Sequence, residues 1–367
     1  MKFLITAIFS LCLFSPTAQA QSAPLVRTAD YWKPQKFEAY LKQHPADETN
    51  REYALKWYGY GNYQGSLDKL KHHTVQMVRY HPNSRSIVLV NGAAFRAHPQ
   101  FRLETISRLE KKVQQQPKSK VSHELYYNLA LLYRQAALPL PTDPASRLRA
   151  LRYLQMPLDS KLPTSVDLPS AHKAIHSYQD AIESAKGKKF EMAFYSDQLA
   201  SLYRYLGRHQ EALSICEAAL PYADAVSKPG LLVTYGRCLR GANRIDEAKS
   251  ALNKVKEIDY KWYSGHGPGR NTIEAETELG SIALSQGDIP AAGNHLLSSV
   301  KAVKDGYADV FTIRTGEGLP IGFRLAERLL AAKQNEVVVE YCTIVLDKFW
   351  KHSAETQQLL KKATAAS

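Results

Sequence analysis

The chain is poor in several of the residues that define specialised protein classes. Its 367 residues include only 4 Cys, 4 Met and 4 Trp, with 19 Gly and 18 Pro. So little cysteine excludes a disulfide scaffold, and so little glycine excludes a collagen-like repeat. An apolar content of 44% is too high for a chain that is disordered throughout. Beyond the first 20 residues no apolar run is long enough to cross a bilayer. Alternating strand patterns are missing, and so are the GxSxG, HExxH, CxxC, GxxxxGK[ST] and GxGxxG motifs. No nucleophile–base pair, metal-ligand set or cofactor site can be built from spacing, so the sequence implies no catalytic residues, no metal and no cofactor.

The first 20 residues read as an address. Lys2 precedes an apolar run from Phe3 to Phe14, Pro16 breaks it, and Ala18-Gln19-Ala20 offers a small-x-small cleavage site. A lipoprotein signal needs a small residue before its cysteine, but Leu11 precedes Cys12. The expectation is a cleavable signal peptide over 1–20, cut after Ala20, and a periplasmic or secreted protein. The mature chain then carries 47 basic and 35 acidic residues, a net +12. Its remaining thiols, Cys216, Cys238 and Cys342, are odd in number and read as small buried apolar side chains.

Charge is unevenly placed. Residues 21–120 hold 17 Lys and Arg against 8 Asp and Glu, whereas 121–367 hold 30 against 27. Five of the 12 histidines lie in the first stretch: His44, His72, His73, His81 and His98. A clustered positive field raises the local concentration of anions. An anionic envelope polymer or lipid surface is therefore one candidate partner for 21–120. Export argues against nucleic acid.

The mature chain has helical periodicity, with apolar residues at i, i+3, i+4 and i+7. Small residues recur in a fixed frame. Ala200 precedes Ala212 by 12 residues, as Gly236 precedes Ala248, Gly280 precedes Ala292 and Ala326 precedes Val338. Two such positions set face to face let the helices of a hairpin approach closely. Upstream, Tyr126, Leu129, Ala130 and Tyr133 mark a first helix whose partner carries Ala174, Tyr178 and Ala181. The two are separated by a proline-rich insert over 138–169. Further upstream, 52–61 pairs with 66–80 and 87–95 with 102–113 as less regular hairpins.

This frame resembles the tetratricopeptide repeat (TPR) family, with units starting near Ala193, Pro229, Ile273 and Leu319. The resemblance implies an all-α solenoid of antiparallel helical hairpins wound as a right-handed superhelix, with repeats over 121–350 and a C-terminal capping helix or tail over 351–367. Residues 21–120 form a basic helical region of degenerate hairpins. In the family, first helices line a concave face, through side chains two, five, nine, twelve and thirteen places into each unit. Carried onto this chain, those places put Tyr127, Arg134, Arg204, Tyr205, Arg237 and Arg240 in a groove. Arginine offers a planar donor for carboxylates, and tyrosine offers rigid contact area. The implied function is an exported, non-enzymatic scaffold that binds a protein or peptide of acidic character. The family's two-carboxylate clamp needs Lys at place five and Asn at place nine. Here those places hold Tyr127 and Leu131, Asp197 and Ser201, or Val233 and Arg237, so the clamp is not expected.

His172 and His176 share a helix face at i, i+4 but lack a third ligand, and read as surface histidines. The segment Ser264–Arg270 is glycine-rich and precedes a helix, but it follows no strand and reads as an inter-repeat loop.

Overall fold

A computed structural model describes residues 34–60, 66–89, 92–138, 166–262, 269–301, 322–349 and 353–366. The signal-like segment 1–20, most of the proline-rich insert and most of the 264–270 loop lie outside the described residues. The chain divides into two compact units, Met1–Asp47 and Glu48–Ser367. In the first, α1 (Pro34–Gln43) is followed by a turn in which the Tyr40 hydroxyl donates to Asp47.

The second unit is an all-α solenoid; among the described residues there is no strand. It starts with α2 (Glu48–Tyr60) packed on α3 (Ser66–Tyr80), with Arg51 and His73 buried and joined at 3.1 Å between them. Within 87–95 the described residues form α4 (Ser86–Leu89) and α5 (Gly92–Ala97), and residues 90 and 91 between them lie outside the described residues. The ring of Phe95 on α5 packs at a tilt against Phe101 of α6 (Pro99–Gln114).

Regular hairpins follow: α7 (His123–Ala137) packs on α8 (Leu168–Ser184), α9 (Lys189–Tyr205) on α10 (His209–Ala219), and α11 (Lys228–Gly241) on α12 (Ile245–Trp262). Then α13 (Arg270–Ser285) packs on α14 (Ile289–Lys301), and α15 (Phe323–Ala331) on α16 (Asn335–Ile344). The last helix, α17 (Ala354–Ala366), buries Leu359 and Ala363 beside α16, and the Ser353 hydroxyl caps it through the Thr356 amide.

The 12-residue frame is a packing frame. Ala200 and Ala212 are both fully buried. A methyl group added at Gly236 would lie 2.8 Å from Leu252 Cγ and 3.5 Å from the Ala248 carbonyl oxygen. One added at Gly280 would lie 3.2 Å from the Ala292 carbonyl oxygen and 3.1 Å from His295 Cβ. Helix backbones therefore meet where the sequence places its smallest residues.

The hairpin turns repeat atom for atom. Seven residues after each first small residue stands one with left-handed backbone: Gly207, Asn243, Gly287 and Lys333, at φ 73, 60, 80 and 61°. The next amide donates to the carbonyl five residues back. Arg208 bonds Tyr203, Arg244 bonds Leu239, Asp288 bonds Ala283 and Gln334 bonds Leu329, at 2.8 to 2.9 Å. This is a Schellman termination of the first helix, which satisfies its last carbonyls and reverses the chain. The same amide-bearing residues then accept the first bond of the second helix, as in Ala212 N–H to the Arg208 oxygen.

Candidate functional site

The first helices of successive hairpins are neighbours, α9 against α11, α11 against α13 and α13 against α15. Residues at helical spacing on α7, α9, α11 and α13 therefore meet across hairpin boundaries, and their polar side chains form a linked row. On α7, Arg134 Nη1 donates to the Gln198 side-chain oxygen on α9 at 2.9 Å. Gln198 in turn donates to Asp197, which also accepts from the Thr234 hydroxyl on α11. Burial pushes the Asp197 carboxyl above its ordinary range, against the help of the Thr234 hydrogen bond.

The strongest ionic knot joins α11 to α13. Arg237 lies between Glu274, at 3.0 Å, and Glu278, at 2.8 Å. Arg240 pairs with the second oxygen of Glu278 at 3.0 Å. Burial alone would raise the Glu278 pKa, but Arg240 and Arg237 more than offset it and hold it down at about 2. On the opposite side of α13, Glu276 bridges Lys256 of α12, at 2.7 Å, and His295 of α14, at 2.6 Å.

A second polar cluster sits where α9 meets α7 and the segment before α4. His123 is buried, with Nδ1 2.8 Å from the Tyr195 hydroxyl and Nε2 2.7 Å from Lys188 Nζ. The same Nε2 lies 3.2 Å from a Glu124 carboxylate oxygen. Arg85 donates to the Tyr195 hydroxyl, at 3.0 Å, and its guanidinium lies over the rings of Tyr127, Phe194 and Tyr195. Burial pushes the His123 pKa down, with Glu124 acting the other way.

The six residues expected in the groove thus have different fates. Arg134, Arg237 and Arg240 lie in the linked row, but each already has an internal acceptor. Tyr205 is half-buried near the end of α9. Tyr127 is only 3% exposed, because Tyr178, Phe194 and Tyr195 close over its ring; it packs the core where an open contact had been expected. Arg204 is half-buried, and its Nε is buried with no hydrogen-bond partner among the described residues. His172 and His176 are exposed on α8. Cys216, Cys238 and Cys342 are buried free thiols, and burial pushes that of Cys342 up to about 12.

Sequence reasoning missed Glu274 and Glu278. The available signal was complementarity between consecutive first helices, Arg237 and Arg240 at i, i+3 facing Glu274 and Glu278 at i, i+4. It also missed the His123–Tyr195 pair, which joins separate hairpins and leaves no local pattern.

The repeats are tetratricopeptide-like. Their shared frame of small residues, left-handed turns and first-helix neighbours carries that description. No protein-family model matches the chain, and no curated protein matches it. Among solved structures it is similar to a chain of the crystal structure of the APC/C hetero-tetramer Cut9-Hcn1, at 12% identity and a TM-score of 0.32. That match covers 89% of this chain and 58% of the other, so the chain spans less than two thirds of its length.

Proposed function

We propose that the protein is an exported, non-enzymatic scaffold that holds another protein or peptide along the face formed by α7, α9, α11 and α13. The observation that carries this reading is the linked polar row from Arg134 to Glu278, which fixes side chains of four successive first helices relative to one another. A surface held in this way is preorganised, so a partner loses less entropy on docking. The signal-like segment supports export. The basic excess of 21–120 supports a second reading, an anionic polymer or lipid surface as the partner. The inward placement of Arg51, Arg85 and Arg102 weakens it, since those cations are spent on His73, Tyr195 and the carbonyls of Phe95 and Gln135.

The test is photo-cross-linking in the producing cell. A photoreactive residue replaces Ser201, which shares the α9 face with Asp197 and Arg204, or Ser214, which is exposed on α10. A discrete protein adduct is expected from position 201 and none from 214. Equal adducts from both, or none from 201, would refute the proposal.

A further inference from the structure

Three thiols remain in the mature chain, and three pairings of them are conceivable. The fold selects one. Cys342 on α16 lies in the C-terminal core with Leu296, Leu329, Tyr341 and Leu359, and neither other cysteine belongs to that cluster. Cys216 on α10 and Cys238 on α11 are both fully buried, on two helices that pack against each other. Two hydrogen bonds fix their register. Tyr235 of α11 donates to Glu217 of α10 at 3.2 Å, and the Thr234 hydroxyl donates to Asp197 of α9. Cys238 follows these two residues by one helical turn, on the face they turn toward the α9–α10 hairpin. Cys216 is the chain neighbour of Glu217. The two side chains meet there and are hydrogen-bonded to each other.

We propose, relying on the export reading above for its state in the cell, that Cys216 and Cys238 form a disulfide that staples one hairpin to the next and leaves Cys342 as a free thiol. The exchange balances with a disulfide donor such as oxidised glutathione. One protein thiolate attacks the donor, forms a mixed disulfide and releases one donor thiol. The second protein thiolate attacks that mixed disulfide and releases the other. Two protein thiols lose two electrons and two protons, and the donor disulfide gains them as two thiols. A compartment reached through a signal peptide supplies such donors. Both cysteines are shut away from solvent in the folded chain, so the exchange belongs to folding, before α10 seats on α11. The finished bond is then sheltered from reductant. It closes a loop over 217–237 and removes freedom from the unfolded chain.

The experiment refolds the reduced mature chain from denaturant in a glutathione buffer, quenches with acid, alkylates in denaturant and counts free thiols by mass spectrometry. Trypsin cuts after Arg237 and separates Cys216 from Cys238, so their bond is seen as a joined peptide pair. One alkylated thiol, mapped to Cys342, is expected, with the joined pair and a melting temperature above that of the chain refolded in reduced glutathione alone. Cys342→Ala should still form the pair, and Cys238→Ser should keep both its thiols. Three alkylated thiols, a bond to Cys342, or the same mixture of pairings that the oxidant produces in denaturant would overturn the proposal. Protein trapped by acid in the producing cell is mapped in the same way. The pair oxidised there supports export. The pair reduced there, after oxidation in the refolding buffer, counts against export and leaves the pairing intact. Failure to pair in the buffer removes this proposal and leaves export and the cross-link at position 201 untouched.

Discussion

The amide of Asp167 donates to the carbonyl oxygen of Ala137 at 3.0 Å, so the last residue of α7 and the N-cap of α8 are direct neighbours in space. The hairpin closes across the proline-rich insert as though the insert were a short turn.

Excision of the insert should therefore preserve the fold. Replacing 139–165 with four Gly and Ser residues is expected to keep the helical circular dichroism signal. It should also raise stability by about 1–2 kcal/mol, because a shorter loop loses less entropy on closure. Chemical denaturation of the two proteins measures this. Loss of the cooperative transition would mean that 139–165 packs as part of the core.

Gly280 tests the close approach of helices. An alanine there gains up to about 1 kcal/mol in helix propensity. It also places a methyl group 3.1 Å from His295 Cβ and 3.2 Å from the Ala292 carbonyl oxygen. Overpacking of this kind costs about 1–3 kcal/mol. Gly280→Ala should be destabilised overall by about 1 kcal/mol, read as a lower denaturation midpoint at unchanged slope. A midpoint at or above that of the parent would show that α13 and α14 have room to spare.

What the sequence makes legible is whatever recurs within one hairpin. Ala200, Gly236 and Gly280 mark the helix contacts because a small residue is needed wherever two backbones meet. The α7–α8 partnership is legible for the same reason, despite the insert. What crosses hairpins is not legible. Arg237 and Glu278 are 41 residues apart, and their pairing depends on a loop length that varies from one unit to the next. Tyr127 stands at a place that the family turns inward, yet the aromatic side chains of Tyr178, Phe194 and Tyr195 bury it. No local propensity announces the left-handed turn at Lys333.

That turn gives a further prediction. Lys333 occupies the position held by Gly207 and Gly287 in other hairpins, with φ 61°. A side chain there bears the strain of the left-handed region, about 1–2 kcal/mol. Glycine relieves it but adds freedom to the unfolded chain. Lys333→Gly is expected to stabilise by about 0.5–1 kcal/mol. Asn243→Gly should gain less, since asparagine tolerates this conformation better. Thermal melts of both variants rank them.

His123 sets an acid threshold. Its folded pKa lies below the ordinary 6.5, through burial first and then Lys188 and Arg85, with Glu124 and Glu191 acting the other way. The unfolded chain therefore binds a proton that the folded chain refuses. Stability from this group is present above about pH 6.5 and falls as the pH drops below it. His123→Asn, which cannot titrate, should show a flatter stability profile between pH 7.5 and 5.5. Parallel profiles would mean that the imidazole is charged in place.

Glu278 acts over a lower window. Its folded pKa of about 2 lies below the ordinary 4.5, so its contribution is complete above pH 4.5 and is lost as the pH falls toward 2. Glu278→Gln removes one side of a pair whose carboxylate is 11% exposed, and leaves Arg240 and part of Arg237 uncompensated. Breaking a buried pair costs about 3–5 kcal/mol, and the more open setting of Arg237 places this variant near the lower end. The stability difference between parent and variant should be largest at neutral pH and should shrink steadily from pH 4.5 downward. A difference that stays constant across that interval would mean that the glutamate holds α11 to α13 by packing and hydrogen bonding alone, with its charge contributing no net stability.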